Sequence, residues 1–179
     1  VRVHKPDGSV VVPAELDASN GRIVLRDVKQ GDLVEEDFFS APPHNLDRSR
    51  FPSERPLVVF FEQGDCHACD VLHTGPLRQD DIRARFAQMD AAQLGVWGDT
   101  PVVTPSGQRT TARRWADELG LFYTTTLLFV GEEIIRVDSV VQFYRLRSVL
   151  DYVLSGAYIE YPTFQQWRNT RTPRVVMPP

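Results

Sequence analysis

Two cysteines, three positions apart, are the residues of this sequence that are best suited to chemistry. They form the motif Cys66-His67-Ala68-Cys69 and are the only cysteines among the 179 residues, which excludes a scaffold held together by several disulfides. Such a pair is either redox-active or part of a metal site. At a helix start, the first sulfur meets unpaired backbone N–H groups and the positive end of the helix dipole, which stabilise a thiolate. The spacing therefore predicts Cys66 as the nucleophile and Cys69, one turn later, as the resolving thiol.

Charged neighbours of the motif are candidates for tuning the reactivity of the cysteines. His67, when protonated, would favour the Cys66 thiolate, whereas Asp65 would oppose it, so the net direction stays open. The alternative for His67 is a solvated position with little influence. His73 lies four residues after Cys69 and can share its helix face, but we expect it to have a simple packing or surface role.

The pattern of apolar residues places the motif between a strand and a helix. The run Leu57–Phe61 suits a strand that is buried on both faces, and the segment His67–Thr74 can be helical until Gly75-Pro76 interrupts it. Further elements follow in order: a helix near 82–85, a strand near 86–90, a surface insertion over 91–109, a helix over 111–119, strands over 126–130 and 134–137, and a closing helix that presents Phe143, Leu146, Leu150 and Val153. This order suits an α/β sandwich.

The chain divides into one central domain and two smaller flanking parts. Residues 1–50 form an N-terminal extension, with a predicted hairpin around Lys5-Pro6-Asp7-Gly8 and a further strand over 22–26. Residues 51–157 form the central domain. Residues 158–179 hold a short C-terminal helix and a tail.

The bulk composition excludes several classes of partner. The formal net charge is −4, and no basic stripe interleaved with aromatic residues is present, so we expect no nucleic acid partner. The longest apolar runs, 57–61 and 127–130, are far shorter than the roughly 20 residues that a membrane-spanning helix needs. The chain begins at Val1 rather than at a methionine, for which a removed export signal is one explanation and a shortened chain is another.

The segment from Val58 to Cys69 resembles the strand and CxxC motif of thioredoxin-like proteins, in particular the SoxW-type periplasmic thioredoxins of bacteria. The resemblance covers residues 57–154 and includes Trp115–Leu121 and the hairpin over 126–137. It implies a thioredoxin fold, a central mixed sheet flanked by helices, to which the β-rich N-terminal extension and the insertion are additions. It also implies a thiol:disulfide oxidoreductase that exchanges its dithiol with protein or small-molecule disulfides and is recharged by an upstream redox partner.

The same resemblance implies a cellular context. It points to a reductant in the periplasm, or otherwise exported, that supports sulfur-compound oxidation or cytochrome maturation. It implies no cofactor beyond the redox-active disulfide Cys66–Cys69, and no metal.

Two positions depart from the pattern of this family. The family usually has a cis-proline in the loop that faces the disulfide, whereas here Thr125 occupies that place, so Thr124 and Thr125 are the expected substrate loop. A cis bond without proline costs about 2.5 to 4 kcal/mol, so the bond between them can be trans instead.

Many thioredoxins carry a buried aspartate six residues before the first cysteine, where this chain has Phe60. Another acid or a water molecule must then serve the resolving thiol, and Glu62 is a candidate.

Two other classes of function stay open. In the first, the two cysteines and a nearby histidine, His67 or His73, bind copper or zinc, although a closed zinc site usually needs four ligands. The remaining histidines, His4 and His44, lie in the extension. In the second, the chain is a redox-inactive adaptor with an inert disulfide, but a CxxC bridge closes too small a loop to stabilise the fold much.

Overall fold

The computed structural model describes residues 3–4, 10–14, 24–28, 32–121, 124–130, 133–138 and 143–171. Its strands are β1 Val3–His4, β2 Val10–Ala14, β3 Val24–Val28, β4 His44–Asn45, β5 Leu57–Glu62, β6 Asp90–Gly95, β7 Pro101–Val103, β8 Arg109–Thr111, β9 Thr125–Val130 and β10 Glu133–Asp138. Its α-helices are α1 His67–Thr74, α2 Asp80–Phe86, α3 Ala112–Glu118, α4 Phe143–Leu154 and α5 Phe164–Arg171, with short 3₁₀ helices at Pro76–Arg78 and Ala157–Ile159.

A four-stranded mixed sheet forms the centre of the fold, with its strands in the order β10-β9-β5-β6. β5 pairs in parallel with β6 and antiparallel with β9, which places it inside the sheet. All six residues of β5 are buried, so the strand is a continuous apolar run up to its last residue rather than an alternating one. The predicted α/β fold, with a mixed central sheet and flanking helices, is confirmed.

Two hydrophobic clusters cover the two faces of this sheet. Phe60 belongs to the cluster that includes residues of α1, α2 and α4, and Phe61 belongs to the cluster that includes residues of α3. Successive side chains of a strand point to opposite faces, so β5 supplies both clusters. The helix that carries the cysteines is held to the first face through Leu72.

The stretch after α2 differs from the sequence-based prediction. The strand predicted at 86–90 is wrong, because α2 continues to Phe86 and β6 begins only at Asp90. Phe86 is buried in the core as a helix residue. The two alanines after Asp90 are buried in β6, yet they carry little of the β-branched or aromatic signal that marks a strand. The first part of the predicted insertion over 91–109 therefore belongs to β6 of the central sheet.

The rest of the predicted insertion contributes to a second sheet, with its strands in the order β4-β7-β8. β4 pairs in parallel with β7, and β7 pairs antiparallel with β8. Leu46, just after β4, and Val102 of β7 belong to the Phe61 cluster. The insertion is thus part of the core and not only a surface addition.

The N-terminal extension contains a third sheet in which β1 pairs with β2 and β2 pairs with β3, both antiparallel. The predicted hairpin is confirmed by the β1–β2 pairing, and its turn lies outside the described residues. The strand predicted over 22–26 is observed at Val24–Val28, and residues 22–23 lie outside the described residues.

The segment between this sheet and β4 contacts the central domain. Phe39 forms a parallel bridge with Ala91, and the ring of Phe38 stacks on that of Phe86 with centroids 5.4 Å apart. The boundary predicted at residue 50 remains a prediction.

The C-terminal helices cover the Phe60 face of the sheet. The predicted face of α4 is buried at Leu146, Leu150 and Val153. The side chain of Phe143 and the tail 172–179 lie outside the described part of the chain. The predicted short helix is confirmed as α5, whose Trp167 ring lies 5.4 Å from the ring of Tyr152. Among the described residues, no helix has the length and apolar character needed to cross a bilayer.

Candidate active site

The two cysteines lie where β5 passes into α1, at the carboxyl end of a central strand. Cys66 is the N-cap residue of α1, and its Sγ accepts a hydrogen bond of 3.1 Å from the backbone N–H of Cys69. The two sulfurs form a disulfide with a Cα–Cα distance of 5.2 Å. Cys66 is 8% exposed and Cys69 is 2% exposed, so Cys66 is the more accessible of the two.

The residues on either side of Cys66 are exposed to solvent. Asp65 has a positive φ of 51°, a left-handed conformation that aspartate tolerates better than most residues, and it turns the chain from β5 into α1. His67 is the first residue of the helix and is also exposed. Solvent screens charges at such positions, and the predicted influence of both residues on the cysteines stays a prediction.

The hydroxyl of Thr124 contacts both sulfurs. Its Oγ1 lies 3.2 Å from Sγ of Cys66 and 2.9 Å from Sγ of Cys69, and Thr124 is only 2% exposed. Since the sulfurs of a disulfide carry no hydrogen, the hydroxyl is the donor. Within the described residues, the cis peptide bond is that between Pro42 and Pro43, so the bond between Thr124 and Thr125 is trans. The predicted substrate loop therefore reaches the disulfide through a threonine hydroxyl.

The second residue of this loop belongs to the central sheet. Thr125 is the first residue of β9, fully buried, and pairs with Phe61 of β5 on one side and with Asp138 of β10 on the other. This pairing fixes the start of β9 beside the end of β5, and it thereby holds Thr124 against the sulfurs.

A tryptophan fixes the loop that follows β5. Nε1 of Trp97 donates a hydrogen bond of 2.7 Å to Oε1 of Gln63. The backbone oxygen of Gln63 lies 3.6 Å from Sγ of Cys69. The pairing of β5 with β6 brings Trp97 to this position, and nothing in the local sequence around the cysteines indicates it.

A buried histidine bridges two carboxylates next to the cysteine pair. His73 of α1 contacts Glu36 through Nδ1 at 2.9 Å and Glu62, the last residue of β5, through Nε2 at 2.8 Å. All three side chains are at most 8% exposed. Arg83 of α2 donates a further hydrogen bond of 2.7 Å to the other oxygen of Glu36.

The carboxylate of Glu62 is only partly satisfied. Its Oε2 also accepts a hydrogen bond of 3.0 Å from Gln93 of β6. Its Oε1 is buried and has no hydrogen-bond partner among the residues that the structure describes. An orphaned buried oxygen on a carboxylate is costly, and such groups are often retained for proton chemistry.

The charges of this buried cluster support one another. Burial lowers the pKa of His73, but the hydrogen bonds and negative charges of Glu62 and Glu36 outweigh burial and raise the pKa overall. Burial likewise raises the pKa of Glu36, but Arg83 and His73 outweigh it and lower the pKa overall. The arrangement therefore favours an imidazolium at His73 with an ionised Glu36 beside it.

The structure brings together only some of the residues that the sequence singles out. Cys66, Cys69 and Thr124 are in contact, and Glu62 lies within one buried cluster with His73. His73 is buried, in line with the expected packing role, but it also carries polar contacts that the sequence does not reveal. Glu36, Gln93 and Trp97 are missed altogether, because each reaches the site from a distant part of the chain.

The contacts of the histidines bear on the metal-binding hypothesis. Both ring nitrogens of His73 are engaged by carboxylates, so neither is free to coordinate a metal without breaking a buried contact. His44 lies in β4 and belongs to the second sheet. Among the described residues, no group of three or more His, Cys, Asp or Glu side chains has an arrangement suited to a metal ion.

The comparison with known sequences agrees with this geometry. No curated protein and no solved structure matches the chain. The family profile described as thioredoxin-like domain matches residues 45–154, more than half of the chain, and this range contains β5, both cysteines and Thr124. The family and the disulfide-bonded CxxC pair together support an oxidoreductase in general terms. The chain therefore belongs to the family of thioredoxin-like domains.

Proposed function

We propose that this chain is a thiol:disulfide oxidoreductase that exchanges its CxxC dithiol with protein or small-molecule disulfides. The observation that carries the proposal is the Cys66–Cys69 disulfide at the start of α1, with a buried Thr124 hydroxyl in contact with both sulfurs. Free helix N–H groups, the helix dipole and a hydroxyl donor all favour negative charge on the first sulfur. Cys66 is therefore the nucleophile, and Cys69 is the resolving thiol.

The exchange proceeds in two displacement steps. The Cys66 thiolate of the reduced protein attacks one sulfur of the substrate disulfide, an S–S bond to the substrate forms, and the other substrate sulfur leaves as a thiolate. The Cys69 thiol loses its proton and attacks the sulfur of Cys66, which forms the Cys66–Cys69 disulfide and releases the second substrate thiolate. Two electrons have then passed from the chain to the substrate, and an upstream dithiol partner must return two electrons.

We assign the proton acceptor for the Cys69 thiol to Glu62. Its position at the end of β5 is next in the chain to Gln63, whose backbone oxygen lies 3.6 Å from Sγ of Cys69. The orphaned Oε1 of Glu62 can hold a proton without breaking an existing hydrogen bond. The position six residues before Cys66 holds Phe60, which is fully buried in the core and carries no proton.

The resemblance to exported thioredoxins supports one direction of electron flow, from this chain to its substrate. We propose a reductant in the periplasm or another exported location. The reduction potential of the Cys66–Cys69 pair tests this direction, by equilibration of the protein with glutathione or dithiothreitol buffers and counting of free thiols. A potential near about −270 mV supports an electron donor, whereas one near about −120 mV indicates an oxidant and contradicts the proposal.

Cysteine variants test the exchange mechanism. Cys66→Ser is expected to abolish the reduction of a test disulfide, because the attacking sulfur is gone, whereas Cys69→Ser retains attack and accumulates mixed disulfides. Mass spectrometry of intact protein, with and without dithiothreitol, detects those adducts. Ala68→Ser is the matched control, since it places a serine inside the motif and leaves both sulfurs in place.

The outcomes separate the three classes of function. Reduction by Cys66→Ser at the wild-type rate contradicts the assignment of the nucleophile. If the cysteine pair of the wild type does not pass between its disulfide and dithiol forms in these buffers, the result contradicts the oxidoreductase proposal and favours the redox-inactive adaptor. If the cysteine pair exchanges between disulfide and dithiol only after metal has been removed from the protein, the result favours the copper- or zinc-binding protein.

A further inference from the structure

A cavity lies at the opposite end of the central strands from the disulfide. Its volume is about 480 Å³, within the range of sites for small molecules. It is lined by Leu57, the first residue of β5, and by Asp90 and Ala91, the first residues of β6. Since the cysteines follow the last residue of β5, the length of this strand, about 16 Å, separates the two sites.

A buried histidine nitrogen lacks a partner at this cavity. His44 of β4 lines the cavity and is 7% exposed, and its Nδ1 is buried with no hydrogen-bond partner among the described residues. Burial lowers the pKa of His44, so the imidazole is neutral at neutral pH and its tautomer can adapt to a ligand. His44 thus carries an unsatisfied polar atom within a residue that lines the cavity, and a ligand atom that reaches this nitrogen can supply the missing hydrogen bond.

Among the described residues, the ion pairs of the cavity wall leave one positive charge uncompensated. Arg48 and Arg55 share a single carboxylate, that of Asp90, at 2.6 Å and 3.0 Å. Asp47, the other acidic residue that lines the cavity, is already paired with Arg50 at 2.8 Å. One carboxylate neutralises one of the two guanidinium groups, so this part of the wall favours a ligand with one negative charge.

Most of the remaining wall is apolar, and three of its residues are phenylalanines. Phe38, Phe39 and Met89 line the cavity, and so does Phe51, which is 61% exposed. A large aromatic side chain that is exposed beside a cavity provides apolar surface against which the apolar part of a ligand can pack.

We propose that this cavity binds a small monocarboxylate with an aromatic or aliphatic body. The carboxylate faces Arg48, Arg55 and the orphaned nitrogen of His44, and the body lies against the phenylalanines. The proposal is independent of the disulfide chemistry, because none of the residues that carry it touches the cysteines.

The test uses the full chain in its disulfide form, labelled with ¹⁵N, and phenylacetate as the probe. Phenylacetamide is the matched neutral probe, since it has the same ring and lacks the charge. We expect saturable amide shifts at residues that line the cavity, with no shift at Cys66 or Cys69. Phenylacetate is expected to bind about tenfold more tightly than phenylacetamide.

Three variants locate the site and its charge preference. Ala41→Trp places an indole at an exposed position of the cavity wall and is expected to abolish the shifts, while disulfide exchange is unchanged. Ala84→Trp, an exposed alanine of α2 that does not line this cavity, is the matched control and retains binding. Arg48→Met leaves Asp90 paired with Arg55 and is expected to reduce the affinity for phenylacetate to that for phenylacetamide.

Several results would overturn the proposal. Absence of saturable shifts at the cavity with phenylacetate shows that no such site exists. Undiminished binding in Ala41→Trp places the ligand elsewhere, and equal affinity for the two probes in the wild type rejects the carboxylate preference. Each of these results leaves the proposed exchange reaction untouched, because that reaction is measured separately on the cysteines.

Discussion

The side chain of Thr124 links the loop before β9 to the chemistry of the sulfurs. Its single hydroxyl hydrogen can serve only one acceptor at a time, although both sulfurs lie within 3.2 Å. Once the disulfide is reduced, the better acceptor is the sulfur that carries the negative charge, because hydrogen bonds to ionised groups are roughly twice as strong as neutral ones. With Cys66 as the proposed nucleophile, we expect Thr124 to stabilise the Cys66 thiolate of the reduced protein more than it stabilises the disulfide.

Removal of this hydroxyl should make the pair more strongly reducing. In Thr124→Val, which keeps the shape of the side chain, the reduced form loses one charge-assisted hydrogen bond. A loss of about 1.4 kcal/mol corresponds to a reduction potential lower by about 30 mV. Equilibration with dithiothreitol buffers measures this shift.

The control for this prediction is Thr126→Val, the same substitution two residues along the chain. The Thr126 side chain lines a small gap in the core beside Phe60 and Leu72. Thr126→Val should leave the reduction potential of the cysteine pair unchanged. An equal potential in Thr124→Val and the wild type would show that the hydroxyl does not distinguish the two redox states.

At the scale of elements, His73 ties three parts of the chain together. It lies on α1, and its two ring nitrogens contact the end of β5 through Glu62 and the segment before β4 through Glu36. The helix that carries the cysteines is therefore held in place by buried charges as well as by apolar packing.

The raised pKa of His73 predicts the sign of a pH effect on stability. A group whose folded-state pKa is raised contributes stability that is fully present below its unfolded-state pKa, ordinarily 6.5, and that is lost as the pH rises through the folded-state pKa. We therefore expect this contribution to the free energy of unfolding to decline above pH 6.5. Urea unfolding at a series of pH values measures it.

Glu62→Gln tests the cause of this pH effect. The substitution removes a carboxylate charge that helps to raise the pKa of His73, so the pKa-lowering effect of burial is offset less. The pKa of His73 should therefore fall, and the decline in stability with rising pH should shrink. NMR titration of the His73 ring reports the pKa directly. Glu35→Gln, at an exposed position beside Glu36, is the control and should leave both measurements unchanged. An unchanged His73 pKa in Glu62→Gln would show that the Glu62 charge does not raise it.

At the scale of the whole molecule, the core reaches further towards the N-terminus than the sequence indicates. Phe38 and Phe39 pack against the Phe60 cluster, and Glu36 is buried beside His73. The family match begins only at residue 45 and does not include them. Residues that precede both the matched range and the boundary predicted at residue 50 therefore contact the core of the central domain.

Two truncated chains test where this domain begins. A chain over residues 45–179 lacks both phenylalanines and should be less stable than a chain over residues 32–179 by at least about 3 kcal/mol, a typical cost of removing one large aromatic side chain from a core. Urea unfolding followed by circular dichroism gives the difference. Residues 1–31 are absent from both chains, so they do not contribute to it. Equal stability would support the boundary near residue 50.

The sequence by itself determined the local parts of this protein. The run over 57–61, the CxxC spacing and the interruption at Gly75-Pro76 predict β5 and α1, and the apolar pattern also predicts the hairpin of β9 and β10. These features are local, because hydrophobic periodicity and helix breakers act within a few residues of the chain. They indicate an α/β fold in which the cysteine pair lies between a strand and a helix.

Only the tertiary structure decided what surrounds the sulfurs. Thr124 lies 58 residues from Cys66 in the chain, and Glu36 lies 37 residues from His73, yet each pair is in contact. Strand pairing and helix packing set these contacts, and a burial pattern reports that a side chain is inside but not which partner it meets. The sequence misplaces β6 for a related reason, because its alanines are held in the strand by pairing with β5 and not by their own β propensity.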